Sequence, residues 1–130
     1  MESSEEGRLI VIDASVVVKW FVLDDGREQA LKLRDDYLEG TIRLASPAIM
    51  PAEVLNAVRY CMNSLKPDTL KEIAASLELY GIKRYALDGD YSKLIVEASM
   101  DNDITIYDAT YVALAKYLNT TLYTAEDELI

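Results

Sequence analysis

The chain has 130 residues, enough for one domain with a continuous core, and its balance of 51% hydrophobic to 28% charged residues is globular. With no histidine, one cysteine and five glycines, it excludes histidine-based proton transfer, histidine-ligated metals, disulfide frameworks and zinc knuckles, and it contains no GxxxxGK[ST] or GxGxxG phosphate-cradling loop. Twenty-three acids against 13 bases give a net charge of −10, which repels nucleic acid unless cations intervene and has a solvated acidic surface as its ordinary account.

"MESSEEG" (1–7) reads as a flexible acidic tail, the opposite of a signal-peptide start, and 8–130 as a single domain. "RLIVID" (8–13) is a short β-branched run of strand type, and "SVVVKWF" after it fits either more strand or the start of a helix. The longest apolar run, 16–23, is broken by Lys19, so no membrane span is expected, and one cysteine suits a reducing cytoplasm. "DDGREQALKLRDDYLEG" reads as a helix with Ala30, Leu33 and Tyr37 on one face and Gly40 as its stop. "TIRLAS" is a second strand. Pro51 opens a helix with Val54, Val58, Cys61 and Leu65 on its buried face, and Pro67 opens another with Leu70, Ile73, Ala74 and Leu77 in register before Gly81.

"IKRYAL" is a third strand, and 90–102 a helix with Tyr91, Leu94, Ile95 and Ala98 inward. A helix over 108–118 follows, its stripe running through Tyr111, Leu114, Ala115 and Leu118, and "TTLYTA" (120–125) is a fourth strand. Strands alternating with helices, without tight hairpins, predict an α/β fold with a parallel sheet covered on both faces, whose ligands bind beyond the carboxyl ends of the strands.

That rule selects four acidic positions. Asp13 ends the first strand, Glu53 lies in the first turn of the helix after the second, Asp108 heads the helix at 108–118, and Glu126 follows the fourth strand with Asp127 beside it. Each has an ordinary explanation: Asp13 and Asp108 as N-caps, Glu53 as a partner of its helix dipole, and Thr124 with Asp127 as a capping box. As a set, carboxylates gathered on one apolar rim raise one another's pKa. A hard divalent cation relieves that conflict, and an all-oxygen donor set suits Mg²⁺ or Mn²⁺.

In order and spacing, "VIDASVVVKWF", "PAEVLNAV", "YDATYVALAK" and "LYTAEDEL" resemble the four acidic motifs of PIN-domain proteins, in particular the VapC toxins of prokaryotic toxin–antitoxin pairs. The likeness covers nearly all of the chain after residue 7. It implies a three-layer α/β/α sandwich and a Mg²⁺- or Mn²⁺-dependent endoribonuclease that leaves a 5′-phosphate and a 3′-hydroxyl. It also implies a VapB-like antitoxin that places a basic residue in the acidic pocket, and a homodimer. By matching position, Asp13, Glu53 and Asp108 are the core acids. Glu126 stands where the family usually has the aspartate of T-A-D, with Asp127 as the alternate. The family's last short strand has no counterpart before Ile130, so four strands are expected, or five in a longer chain.

Supporting roles fall to Asn56, one turn beyond Glu53, and to the hydroxyls of Ser15 and Thr124, though ordinary capping or solvent hydrogen bonds explain all three. Lys19 and Arg59 are possible phosphate contacts or plain surface charges; Tyr107 and Tyr111 would stack on bases, Tyr111 fitting the core equally, and Cys61 reads as packing. Two rivals stand beside the nuclease. One is a PIN-like module that binds a partner without cutting, to which the glutamate at position 126 gives weight. The other is a Mg²⁺-dependent phosphoacceptor domain, which typically needs an acidic pair beside the first strand and a lysine after the last; Asp24-Asp25 lies too far along and no lysine follows residue 116.

Overall fold

The computed structural model describes residues 7–125. They run β1 (Arg8–Ile12), α1 (Ala14–Val18), α2 (Arg27–Glu39), β2 (Ile42–Pro47), α3 (Met50–Cys61), α4 (Pro67–Tyr80), β3 (Lys83–Tyr85), α5 (Gly89–Asn102), α6 (Ile106–Tyr117) and β4 (Thr121–Tyr123). The strands form one parallel sheet in the order β3-β2-β1-β4.

The side-chain alternation of a strand divides the core into two. Ile10 and Ile12 of β1 point into a cluster shared with Val16 and Val17 of α1, Leu33 of α2, Val54 and Val58 of α3 and Leu77 of α4. Val11, between them, points the other way, into a cluster with Tyr91 and Ile95 of α5 and Leu114 of α6. The result is the expected α/β/α sandwich. The last three residues of β1, Ile10, Val11 and Ile12, are sealed, as a central parallel strand requires.

The chain lays strands outward from β1 through β2 to β3, then returns to place β4 on the other side of β1. The reversal opens a crevice at the carboxyl ends of β1 and β4, where Ile12 is paired with Tyr123 and the Asp13 N–H donates to the Tyr123 carbonyl at 3.0 Å. This is the place where open α/β sheets hold ligands.

Several local expectations are decided or changed. "SVVVKWF" starts a helix: β-branched Val16 and Val17 are weak helix formers, but burial against β1 decides the outcome. Helix α2 begins at Arg27, because Gly26 sits at φ +80°, outside helical space. The buried face of α3 ends at Val58, and Cys61, its last residue, is exposed instead of packed. Gly7 is held against the second strand, its carbonyl accepting from Arg43 Nε at 3.2 Å. Residues 1–6 of the expected tail lie outside the described residues.

Candidate active site

Asp13 leaves β1 in extended geometry (φ −83°, ψ 151°) and occupies the cap position of α1, yet its side chain makes no capping bond. The carboxylate is turned to the crevice and is only 4% exposed. Its Oδ2 accepts from Ser15 Oγ at 2.6 Å and from Thr124 Oγ1 at 2.9 Å. Ser15 Oγ in turn accepts from the Ala125 N–H at 3.1 Å. A buried carboxylate is tolerable only with such partners, and here they clip the end of β4 to the start of α1. Asp13 Oδ1 has no hydrogen bond among the described residues.

Glu53 sits in the first turn of α3, its N–H bonded to the carbonyl of the cap residue Ile49 at 3.1 Å. The Tyr111 hydroxyl, from α6, donates to Glu53 Oε1 at 2.5 Å. Partial burial pushes the Glu53 carboxyl above its ordinary pKa; the Tyr111 bond opposes that, and the charges of Asp13 and Asp108 add to it. Burial and the neighbouring Glu53 carboxylate together drive the Tyr111 phenol far upward, so it stays a donor across the whole working pH range.

Asp108 is the third residue of α6, not its cap. Thr105 holds the cap position, its Oγ1 accepting from the Asp108 N–H at 3.0 Å. The hydroxyl thus performs the task that the sequence offered to the aspartate, and the Asp108 carboxylate makes no hydrogen bond to a described residue.

Asp13, Glu53 and Asp108, with Ser15 and Tyr111, line one hollow of about 180 Å³. Ala57, one turn past Glu53, lines it too, whereas Asn56 is exposed and outside it. Among the described residues no three acids stand close enough to hold one ion together. The donor set nevertheless fits a hard cation: oxygen throughout, with Asp13 Oδ1, Glu53 Oε2 and both Asp108 oxygens uncommitted. Mg²⁺ keeps several waters, which would bridge such spacing.

Among the described residues no basic side chain lines the hollow or pairs with the three acids. The ion pairs among the described residues join Lys19 to Asp24, Lys32 to Asp36 and Arg34 to Asp35. Lys19 is also bonded to the Asp25 carbonyl, and the Arg59 guanidinium lies 5.0 Å over the Tyr60 ring; neither lines the hollow. Glu126 and Asp127 lie outside the described residues. The residue that sequence reasoning undervalued is Tyr111. A buried tyrosine needs a partner for its hydroxyl, and Tyr111 stands one turn from Asp108.

A family model described as PIN domain matches residues 10–130. The crystal structure of PAE2754 from Pyrobaculum aerophilum superposes with a TM-score of 0.66 at 17% sequence identity, over 99% of this chain and 81% of that one, a likeness of fold. No curated protein matches the sequence.

Proposed function

Because this chain belongs to the PIN-domain family, a family of nuclease-type domains, we propose that it is a Mg²⁺- or Mn²⁺-dependent endoribonuclease and the toxin of a VapBC-type toxin–antitoxin pair. The observation that carries the reading is the hollow at the β1–β4 crevice, where three carboxylates from three distant segments converge without a described counter-cation. A hard divalent cation bound there supplies an acidified water and neutralises the charge that develops on the phosphate.

The chain's own residues set the geometry. Ser15 and Thr124 fix Asp13 through Oδ2, so that Oδ1 would be available to a cation. Tyr111 fixes Glu53 through Oε1, which leaves Oε2. Asp108 is placed by the Thr105 cap. One of these carboxylates accepts the proton of the attacking water. Glu126 is the proposed fourth acid, with Asp127 as alternate. A VapB-like antitoxin, a homodimer and a cytoplasmic setting complete the proposal. No helix among the described residues is long and apolar enough to cross a membrane.

The test is cleavage of single-stranded RNA in Mn²⁺ by the protein and by Asp13→Asn. Asparagine retains an oxygen for Ser15 and Thr124 but loses the charge, so activity is expected to fall at least about 100-fold while the fold persists. The spacing of the acids lends specific support to the second reading, a PIN-like module that binds a basic partner without cutting. No cleavage by the unmutated protein, with binding of a basic peptide intact, would establish that reading instead.

A further inference from the structure

A second hollow, of about 240 Å³, opens on the same rim, between the carboxyl ends of β2 and β3 and the first turn of α6. Pro47, Ile49, Tyr85, Leu87, Ile106 and Tyr107 line it, and nearly all of the lining is apolar. Thr110 also faces it, but its hydroxyl is committed to the Tyr107 carbonyl at 2.6 Å. Tyr107 is 58% exposed and Leu87 56%, high values for large apolar side chains beside a cavity. Neither Tyr85 nor Tyr107 belongs to an aromatic pair among the described residues, and Tyr107 is the more exposed of the two rings.

The acid site adjoins it. Tyr107 precedes Asp108, one Cα spacing or about 3.8 Å away, and Ile49 caps the helix whose first turn holds Glu53. At the outer edge the Lys83 ammonium lies 5.2 Å from the Tyr85 ring centroid, a cation in a strongly acidic chain. The volume lies below the usual range for drug-sized ligands and suits one flat ring. Among the described residues the polar side-chain groups of its lining are the Tyr85, Tyr107 and Thr110 hydroxyls, and against so much apolar surface they suit stacking better than edge recognition.

We infer that this hollow seats one unpaired nucleobase of the substrate strand, flanking the phosphate at Asp108, with Tyr107 as its stacking platform and Lys83 meeting an adjoining phosphate. The inference rests on the nuclease reading for its substrate class. It specifies single-stranded nucleic acid, with tolerance of base identity because every base has a π-face.

The experiment uses a single-stranded pentaribonucleotide with a central 2-aminopurine, added with Mn²⁺ to the full chain carrying Asp13→Asn so that the strand stays intact. Saturable quenching is expected; Tyr107→Ala weakens binding about 5- to 150-fold, and Tyr107→Phe restores it. Leu87→Ala, on another wall, shifts affinity the same way and guards against a folding artefact. Unchanged affinity in Tyr107→Ala, or no quenching, overturns the inference. A shift from dimer to monomer in Tyr107→Ala by sedimentation also overturns it, since the hollow is then a contact between copies. Mn²⁺-dependent RNA cleavage by the unmutated chain without quenching leaves the nuclease reading standing and removes the base site. Quenching without cleavage does the reverse.

Discussion

Tyr111→Phe removes one oxygen from a buried ring and leaves the core volume nearly intact, so it isolates the hydrogen bond to Glu53. Glu53 is only half-buried and water can replace the donor, which puts the stability loss near the low end, about 1 kcal/mol. The larger expected effect is on Mn²⁺ affinity, lowered about tenfold for each ~1.4 kcal/mol of lost orientation, read by calorimetric titration. The pH dependence of the same carboxyl has a definite sign. Its pKa is raised in the folded protein, so the fold binds more protons than the unfolded chain between the ordinary value of 4.5 and the raised one. The stabilisation is complete below about pH 4.5 and is lost as pH rises through the raised value. Metal-free protein should therefore melt at a lower temperature at pH 7.5 than at pH 4.5 on this group's account, and Mn²⁺ should recover the difference. A melting temperature indifferent to Mn²⁺ at pH 7.5 would count against the site. The bond from Tyr111 to Glu53 spans 58 residues and joins side chains of α6 and α3, so no local pattern announces it.

At the scale of elements, what was legible were features set by local chemistry. Pro67, Gly40 and Gly81 mark helix ends where the turn geometry leaves few options: the two glycines sit at φ +86° and +66°, which side-chain-bearing residues rarely adopt. Less legible were ends decided by competition between neighbours. Thr105 and Asp108 both qualify as caps, and the structure gives the cap to Thr105. Thr105→Ala should cost about 0.5–2 kcal/mol, because the Asp108 N–H loses its acceptor at the helix that carries an acid of the site. Melting should fall by a few degrees, and RNA cleavage by more than the stability loss explains, since Asp108 is released with the first turn. At the opposite end of the fold, a Cβ on Gly7, at φ +81°, would overlap the Thr41 carbonyl oxygen. Gly7→Ala should thus destabilise by more than about 1 kcal/mol and spare metal binding, because the rim of the site lies at the other end of β1.

For the whole molecule, the parallel direction of the strands followed from alternation of strand and helix, and the ligand edge from the rule that ligands bind beyond the carboxyl ends of such strands, whereas the order β3-β2-β1-β4 is a tertiary fact. The charge was legible as a number but not as a place. Among the described residues most acids are surface charges, and Asp24, Asp35 and Asp36 are paired with Lys19, Arg34 and Lys32, while Asp13, Glu53 and Asp108 share a hollow that no described base lines. Only the meeting of three segments distinguishes them, and that is a tertiary fact. A net charge of −10 makes a polyanion a poor long-range partner and a polycation a good one. The two associations should then respond to salt in different ways. An arginine-bearing basic peptide, drawn by the field of the whole surface and paired at the hollow, should bind more weakly by an order of magnitude or so between 50 and 300 mM salt. RNA binding in Mn²⁺ should change far less, because few phosphates meet a lysine or arginine and the slope scales with their number. The peptide should also compete with Mn²⁺ and suppress cleavage, since both need the same uncommitted oxygens. Peptide binding that ignores both salt and Mn²⁺ would place the basic partner elsewhere on the acidic surface, and inhibition by way of the hollow would be excluded.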